Sequence, residues 1–400
     1  MPSDDFTCAL TFLTMKGAVF PSQGVGPTVV DDLEKPSPGP DQVLVKSLWT
    51  AMNPMYVGHF LSPPDPLSSL ASLVVSQFLA HLSDVKSAIT DMPNSDGLMG
   101  NSGILVLDWP LVLGVDAGGV IVEAGENATS EYGLKPGDEV CGCTRLGTKG
   151  HSTAQEYFLL DANVTIPKPK NLSLAEAATL GVGAETACLA LFEGLKIPLL
   201  DPAHLPEEKD EWVVILGGAS SVGKFAIQLA RVCGYKVVAS CSSRSAEVVK
   251  ELGATPFDYK TSVDQQLEDV LKITSGKYSR IFDAVAADDP VLAKALFKAS
   301  SAPEKYFATT NDWAGIPDFE GGKTYWTQFG PVGRPEAKEL NTSIAKYIPI
   351  IVVLVEAGKL KPSDYELIGP GGFGDAVKAY HYQQSGAGGS RKVVVKIQDK

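Results

Sequence analysis

The sequence predicts an α/β chain in which an irregular, barrel-like β domain is followed by a doubly wound parallel sheet. Between Lys16 and about Val182, short β runs alternate with Gly/Pro/Asp turns, which is typical of an irregular barrel. From about Glu185 the pattern changes to strand, helix, strand, helix. That alternation indicates a parallel sheet covered on both faces. A strand, a glycine-rich turn and a helix at residues 212–230 give the strongest local signal for it.

The first domain is expected to span residues 1–184, with a helical insertion at about 60–105. Its strands are predicted between turn sequences, at Gln42–Lys46, Gly118–Glu123, Glu139–Cys141 and Glu156–Leu160. Within the insertion apolar residues recur at helical period, at Leu67, Leu70, Val74, Phe78, Leu82, Val85 and Ile89. We expect a helix that docks on its own domain, with a lid or a partner surface as the alternative.

The second domain is expected at residues 185–335. Its parallel strands are predicted at Val213–Leu216, Lys236–Ala239, Ser279–Ala284 and Lys305–Thr309. Residues 336–400 are expected to return to the first domain through a strand at Lys392–Ile397.

The glycine-rich turn, Gly217-Gly-Ala-Ser-Ser-Val-Gly223, indicates a nucleotide site. Small side chains let the backbone approach a diphosphate, and the helix that follows adds free N–H groups and a partial positive charge. Taken alone, the turn fits a simple loop equally well. The second strand ends in Ser240-Cys241-Ser242-Ser243-Arg244, where an NAD site would carry an acidic residue for the ribose 2′-hydroxyl. Hydroxyls and an arginine suit a 2′-phosphate, so the predicted cofactor is NADPH.

Composition excludes several classes of partner. The chain has 400 residues, 44% hydrophobic content and a formal net charge of −13. Such an acidic surface argues against nucleic acid or an anionic membrane as partner. Six cysteines without framework spacing predict reduced thiols. With neither a basic leader at the N-terminus nor an apolar run that could span a bilayer, we expect a cytoplasmic protein.

Several further motifs carry a resemblance to a known family. They are Lys16-Gly-Ala-Val, Asn53-Pro54, Gly114-Val-Asp-Ala-Gly-Gly119, Lys135-Pro-Gly-Asp-Glu-Val140, Ala175-Glu-Ala-Ala178 and Gly183-Ala-Glu-Thr186. With the nucleotide turn, they make the chain resemble the medium-chain dehydrogenase/reductase superfamily over nearly its whole length. Within it, the chain is most similar to zinc-free fungal enoyl reductases, including those acting in trans on polyketide synthases. The resemblance implies a GroES-like irregular β-barrel domain and a Rossmann domain.

The resemblance also bears on metal content. Zinc-dependent relatives need a Cys after the first barrel strands, a His in a Gly-His-Glu element, and another Cys before the nucleotide domain. Here those places read Ala51-Met52-Asn53, Gly114-Val115-Asp116 and Gly181-Val182-Gly183. Cys141-Gly-Cys143 is too closely spaced for a usual zinc knuckle and is assigned to core packing. No metal site is therefore expected, and alcohol oxidation is disfavoured.

The family's cofactor contacts can be transferred residue by residue. They fall on Met55, Tyr56, Val57, Gly58, Thr186, Ala219, Ser220, Ser221, Val222, Ser242, Ser243, Arg244, Ser245, Tyr259, Thr309, Thr310, Gly388 and Gly389. Most relatives have Asp at the position of Tyr56. This tyrosine is the candidate catalytic residue, as a proton donor or a hydrogen-bond partner of the substrate carbonyl, with a pocket wall as the alternative.

Some of these residues have purely structural alternatives. Thr186 could be only the N-cap of a helix at Ala187–Leu195. Ser242 could be part of a simple loop, and Arg244 a solvated charge at a helix start. Asp116 is expected to brace backbone amides in its turn. The five histidines are expected to lie on the surface or to be satisfied by hydrogen bonds.

The leading functional hypothesis is an NADPH-dependent reductase of an enoyl thioester or enone, in fungal secondary metabolism. Hydride would go to the β-carbon, and the resulting enolate would be protonated at the α-carbon. The substrate is either a free small molecule or carrier-bound, which would make a polyketide synthase the partner. A quinone or enone detoxification reductase and a non-catalytic NADPH-binding scaffold stay open, as do monomer and homodimer.

Overall fold

The computed structural model of the chain describes residues 14–53 and 95–400, apart from the side chain of Ser95. The periodic segment at 66–90, on which the insertion hypothesis depends, lies outside these residues. Its described neighbour is the helix α1 (Ser95–Ser102).

The β-rich part consists of two sheets. Their strands are β1 (Thr14–Phe20), β2 (Thr28–Glu34), β3 (Gln42–Met52), β4 (Leu111–Val112), β5 (Asp116–Ala124), β6 (Glu139–Cys143), β7 (Tyr157–Asp161), β8 (Ile166–Pro167), β15 (Tyr365–Leu367) and β16 (Lys392–Lys396). The smaller sheet has the order β2-β1-β4, and the larger has the order β15-β16-β3-β5-β6-β8 with β7 also paired to β3. Strand β3 pairs with β16, β5 and β7, and it is buried along most of its length.

The two β-rich sheets make up one layer of the molecule, and a separate sheet of six parallel strands forms the second layer. The parallel strands are β9 (Trp212–Leu216), β10 (Lys236–Cys241), β11 (Ala254–Asp258), β12 (Tyr278–Asp283), β13 (Lys305–Thr309) and β14 (Gly322–Trp326). Their order is β11-β10-β9-β12-β13-β14. From β9 the chain adds β10 and β11 on one side and then crosses back to add β12, β13 and β14 on the other side, so the strand order switches between β9 and β12. This switch point is where doubly wound sheets bind ligands, at the carboxyl ends of the strands.

Helices cover both faces of this sheet. They are α5 (Ser221–Val232), α6 (Ala246–Glu251), α7 (Val263–Thr274) and α8 (Val291–Ala299). Along β9, Val213 and Ile215 belong to one hydrophobic core and Val214 to another, on the opposite face. Since side chains alternate along a strand, burial on both faces explains the continuous apolar run in the sequence.

The remaining helices lie between and around the sheets. They are α2 (Glu126–Ser130), α3 (Leu174–Ala177), α4 (Gly181–Cys188), α9 (Lys338–Glu356) and α10 (Phe373–Gln384). Helix α4 continues as a π-helical segment, Leu189–Gly194. The largest core contains side chains from both layers, including Phe20 and Leu113 of the β-rich part and Val213 of the parallel sheet. The two layers are therefore joined by continuous apolar packing.

The predicted fold class is confirmed, with an irregular β domain and a parallel sheet of doubly wound order. The C-terminal strand β16 lies antiparallel beside β3, with Val393 opposite Met52. One local expectation is wrong: the helix around Thr186 begins at Gly181, so Thr186 lies inside it and is not its N-cap. Within the described ranges, no helix combines the length and apolar character of a membrane span. The domain boundaries at 184/185 and 335/336 stay a prediction.

Candidate functional site

The glycine-rich turn connects β9 to α5. Gly217 has φ +82°, and a Cβ there would also collide with the side chain of Val285. Gly218 packs against the next strand, since an added Cβ would lie 2.7 Å from Ala239 Cβ. Gly217 therefore requires glycine for its left-handed backbone, and both positions require it for the close approach of neighbouring segments.

Helix α5 begins directly behind the turn and packs closely on it. Ser220 is its N-cap, and its Oγ accepts a hydrogen bond from the N–H of Gly223 at 3.0 Å. A Cβ on Gly223 would collide with the Gly217 carbonyl and lie 3.0 Å from Gly218 Cα. The roles of Gly217 and Gly223 are those of the first and last glycines of a dinucleotide turn. Ala219, Ser221 and Val222 complete the turn and the first helical residues.

Two buried hydroxyls near this helix start have no hydrogen-bond partner within the described ranges. They are Thr186 Oγ1 in α4 and Ser221 Oγ in α5. The helices touch here, because a Cβ on Gly183 would lie 3.0 Å from Ser221 Oγ. Unpaired buried hydroxyls are costly, so a polar group supplied by a ligand would satisfy them. The cradle and these orphaned hydroxyls fit the diphosphate of a dinucleotide beside the positive end of α5.

The serine-rich segment follows β10 at the same edge of the sheet. Ser242 precedes a short turn of 3₁₀-helix that contains Ser243, Arg244 and Ser245, and Ser242 Oγ lies 3.4 Å from Ser245 Oγ. Arg244 is exposed. Its guanidinium has no hydrogen bond or ion pair to any residue of 14–53 or 95–400, which leaves all its donors available.

Strand β11 brings further groups to this segment. The Tyr259 N–H donates to the Cys241 carbonyl at 3.4 Å, and the Tyr259 side chain is 48% exposed. Its neighbour Lys260 is also exposed, and its backbone N–H donates to Asp258 Oδ1 at 2.9 Å. Lys260 was not among the predicted site residues, although it directly follows Tyr259. The structure therefore gathers two cations, a phenol ring and several hydroxyls at one end of two adjacent strands.

Two threonines end the strand β13, near the switch point. Thr309 is buried, and its Oγ1 donates a hydrogen bond to Asp283 Oδ2 at 3.3 Å. The N–H of Thr310 donates to the Asp283 carbonyl at 3.0 Å. Burial raises the pKa of Asp283 to about 6, although hydrogen bonds from the backbone N–H groups of Val285 and Ala287 act to lower it. The Thr309 hydroxyl also accepts a hydrogen bond from the N–H of Asn311 at 3.0 Å, whereas the Thr310 hydroxyl has only a long 3.5 Å hydrogen bond to the Asp283 carbonyl, so Thr310 has the less strongly held hydroxyl of the two.

The loop that contains Gly388 and Gly389 contacts the parallel-sheet layer through Lys224. The Lys224 ammonium, in the first turn of α5, donates to the Ser390 carbonyl at 2.6 Å and forms an ion pair with Asp364. Burial lowers the pKa of Lys224, while the Asp364 carboxylate acts in the opposite direction. The loop thus lies beside the start of α5, although no signal in the glycine motif pointed to Lys224.

Asp116 differs from its expected role as a simple amide brace. Its Oδ1 does accept from the N–H of Val182 at 2.9 Å. Its Oδ2, however, is 2.5 Å from Lys392 Nζ and also accepts from Asn53 Nδ2 at 2.9 Å. Both side chains of the ion pair are fully buried. Sequence reasoning missed this cluster, because its members are far apart along the chain.

Glu185 is a second buried ionisable residue near the site that the sequence did not single out. It is fully buried in α4, and neither of its carboxyl oxygens has a hydrogen-bond partner among the described residues. Burial, and then the nearby charge of Asp116, raises its pKa well above 4.5. Both effects favour the protonated form of the Glu185 carboxyl.

The predicted contacts Met55, Tyr56, Val57 and Gly58 lie outside the described residues, and so does the candidate proton donor among them, Tyr56. The chain reaches this segment directly from Asn53.

His151 differs from the role expected of the histidines, whereas the described cysteines are reduced, as the sequence predicts. His151 is neither exposed nor fully satisfied, since it is buried and its Nδ1 has no partner in the described part of the chain. Burial, with the Arg145 charge, lowers its pKa to about 3. The five described cysteines are free thiols in the core, and residues 14–53 and 95–400 contain no group of three metal-ligating side chains.

Two family signatures match parts of the chain. Residues 81–170 match the family described as alcohol dehydrogenase GroES-like domain, and residues 221–299 match the one described as zinc-binding dehydrogenase. Among solved structures, a putative zinc-dependent alcohol dehydrogenase from Rhizobium etli covers 97% of this chain and 100% of its own, with a TM-score of 0.68 at 20% identity. The CurK enoyl reductase covers 96% of this chain and 99% of its own, with a TM-score of 0.62 at 18% identity. These likenesses support the fold.

Curated relatives are closer in sequence. The trans-enoyl reductase tazE of Aspergillus terreus is 31% identical over 278 residues, which are 68% of this chain and 73% of tazE. The dehydrogenase azaJ of Aspergillus niger is 36% identical over 178 residues, 43% of this chain and 50% of azaJ. The chain thus spans about half the length of several curated relatives that it matches. The extent of the match to tazE, with both domain signatures in order, shows that the chain belongs to the medium-chain dehydrogenase/reductase superfamily and groups there with the fungal trans-enoyl reductases.

Proposed function

We propose that this protein is a zinc-independent, NADPH-dependent reductase of α,β-unsaturated carbonyl compounds in fungal secondary metabolism. The substrate would be an enoyl thioester or an enone, and the partner of a carrier-bound substrate would be a polyketide synthase. The observation that carries the proposal is the similarity to the trans-enoyl reductase tazE over 68% of the chain.

The preference for NADPH is supported by the segment after β10. An NAD site would carry a carboxylate there, and this chain has Ser242 and the exposed Arg244. A 2′-phosphate can form charge-assisted hydrogen bonds to a guanidinium, and these are about twice as strong as neutral ones.

The proposed cofactor site extends along the carboxyl edge of the parallel sheet. The turn at Gly217–Gly223 and the orphaned hydroxyl of Ser221 would hold the diphosphate, and Thr186 and Thr310 would lie toward the nicotinamide. When bound, NADPH supplies the hydride for the reaction. The Gly388–Gly389 loop, fixed to Lys224 through Ser390, would cover the site and exclude water.

Reduction at the β-carbon leaves an enolate that needs a stabilised oxygen and a proton at the α-carbon. Tyr56 is the residue that we assign to this step, as a proton donor or a donor to the carbonyl oxygen. Water is the alternative proton source. The residues around the site otherwise orient the reactants, and orientation is a large part of the rate enhancement of such a bimolecular step.

Zinc independence is supported by the ammonium of Lys392, which lies between Asn53 and Asp116. In zinc-dependent relatives, ligands come from the segments that read Ala51-Met52-Asn53 and Gly114-Val115-Asp116 here. The Lys392 ammonium lies 2.6 Å from Asn53 Oδ1 and 2.5 Å from Asp116 Oδ2. Because both oxygens already accept hydrogen bonds from this ammonium, neither Asn53 Oδ1 nor Asp116 Oδ2 is free to ligate a metal ion.

Steady-state NADPH oxidation with a panel of enones, quinones and crotonyl thioesters tests the proposal. We expect turnover of enones or thioesters with NADPH, and at least about tenfold weaker binding of NADH. A preference for quinones would favour the detoxification reductase, and tight NADPH binding without turnover would favour the scaffold. Metal analysis that finds one zinc per purified chain would contradict the zinc-free mechanism.

A further inference from the structure

The buried ion pair of Lys392 and Asp116 lies where three separate segments of the chain meet. Lys392 is the first residue of β16, Asp116 is the first residue of β5, and Asn53 directly follows β3. Lys392 Nζ donates to Asp116 Oδ2 at 2.5 Å and to Asn53 Oδ1 at 2.6 Å. Asn53 Nδ2 closes the triangle with a 2.9 Å hydrogen bond to Asp116 Oδ2. All three side chains are buried, and neither member of the ion pair is exposed at all.

Stability alone gives little reason for such a cluster. A buried ion pair loses the hydration of both charges, and well-packed apolar side chains of similar volume often stabilise a fold equally well. The neighbouring Glu185 forms no ion pair with Lys392, because neither of its carboxyl oxygens has a partner among the described residues. What the ion pair provides and apolar packing does not is a fixed orientation of polar partners.

Each segment joined here leads to proposed cofactor contacts. Asn53 continues directly into Pro54 and residues 55–58. Lys392 ends the loop of Gly388 and Gly389, which is also fixed to α5 through the Ser390 carbonyl. Asp116 Oδ1 accepts the N–H of Val182 in α4, four residues before Thr186. One charged cluster therefore sets the relative positions of three segments that come from distant parts of the chain.

We infer that Lys392 is a positioning residue for hydride transfer, which acts through Asn53 and Asp116 to hold the end of β3, helix α4 and the Gly388–Gly389 loop in register around the nicotinamide. The inference rests on the proposed function. Loss of the ammonium would let Asn53 turn away and would change the distance between hydride donor and acceptor. Misplacement by about 1 Å costs roughly a hundredfold in rate, so the effect should fall on kcat more than on KM.

Three variants separate positioning from stability. Lys392→Met leaves the Asp116 carboxylate buried without a counter-ion, so it should lower both stability and kcat. Lys392→Met combined with Asp116→Asn removes both charges, so stability should recover. Asn53→Ala keeps the ion pair and removes only the two hydrogen bonds that tie it to the end of β3. Lys396→Met is the control, because it lies on the same strand in a partly exposed pair with Asp399.

The measurements are urea unfolding, NADPH affinity, kcat and KM for a crotonyl thioester, and the fluorescence lifetime of bound NADPH. We expect Asn53→Ala and the double variant to be within about twofold of the wild type in NADPH affinity, but roughly tenfold or more lower in kcat. The control should match the wild type throughout. Recovery of kcat together with stability in the double variant would overturn the positioning role. If the wild type binds NADPH but reduces no substrate, the proposed function fails. The lifetime then decides the inference: a changed value in Asn53→Ala supports it, and an unchanged value overturns it.

Discussion

Gly223→Ala is the perturbation that most sharply tests the packing of the nucleotide turn. Gly223 lies in the first turn of α5, directly over the backbone of Gly217 and Gly218. An alanine Cβ would collide with the Gly217 carbonyl and lie 3.0 Å from Gly218 Cα. These neighbours are backbone atoms and cannot rotate away as a side chain would. The start of the helix must therefore move.

Two opposing contributions set the change in stability. Alanine in place of glycine inside a helix stabilises by about 0.5–1 kcal/mol. Forcing a methyl group into a closely packed site costs about 1–3 kcal/mol. We therefore expect a net destabilisation of about 1 kcal/mol.

The effect on NADPH affinity should be larger than the effect on stability. Relief of the collision needs a shift of roughly 1 Å, since atoms in contact prefer about 3.5–4.0 Å and the Gly217 carbonyl oxygen would be closer to the new Cβ than Gly218 Cα is. Such a shift turns the N–H groups at the start of α5 away from the diphosphate. A hydrogen bond to a charged group contributes about 1.5–3 kcal/mol, so the affinity should fall roughly ten- to a hundredfold.

The assay combines urea unfolding with titration of NADPH fluorescence. Gly374→Ala is the matched control, because Gly374 also lies near the start of a helix and an added Cβ would meet no atom within 4 Å. That variant should be unchanged or slightly more stable, with the affinity of the wild type. If Gly223→Ala were more stable than the wild type and bound NADPH equally well, the turn would not hold the cofactor as described.

Other substitutions test separate parts of the account. Ser242→Asp with Arg244→Asp should abolish or reverse the preference for NADPH over NADH in titrations of both cofactors; equal affinities in the wild type would refute the 2′-phosphate site. Thr186→Val should make the apo protein equally or slightly more stable, because it removes a buried hydroxyl that has no partner in the described structure, and should weaken NADPH binding about fivefold; unchanged affinity would place Thr186 away from the cofactor. Glu185→Met should stabilise the fold by about 1–3 kcal/mol near pH 8. The native chain binds the Glu185 proton more tightly than the unfolded chain, so wild-type stability falls as pH rises above 4.5. The advantage of the variant in urea unfolding should therefore be largest at high pH and should shrink below pH 4.5 to the cost of burying the unpaired neutral carboxyl; an equal advantage at every pH would contradict the buried acid.

The sequence predicted the parallel sheet well because its signals are local. Continuous apolar runs such as Val213–Leu216 arise from burial on both faces, and the turn behind them has the glycines that its backbone needs. The strand at Lys305–Thr309 was predicted with the same ends as in the structure. The predicted start of the helix near Thr186 is wrong. Glycine has a low helix propensity, so Gly181 and Gly183 do not predict that the helix begins before them. Tertiary packing requires both glycines, because Gly181 lies against Asp116 and Gly183 against Ser221 and Phe225.

The charged cluster behind the site could not be predicted in the same way. Lys392 and Asn53 are 339 residues apart, and no local pattern marks either as buried. A lysine at the start of a short apolar strand normally indicates a solvated end. Only the pairing of β16 with β3 brings this ammonium to Asn53. Glu185 was missed for a related reason, because a carboxyl without any partner among the described residues contradicts the usual rule for buried charge.

The position of the transferred hydrogen tests the central claim most directly. The protein would be incubated with a crotonyl thioester and NADPH that carries deuterium at both C4 positions, and the product analysed by NMR and mass spectrometry. We predict a saturated butyryl thioester with one deuterium at the β-carbon and a solvent proton at the α-carbon. Deuterium at the carbonyl carbon, in an aldehyde or alcohol product, would contradict enoyl reduction and indicate a carbonyl reductase.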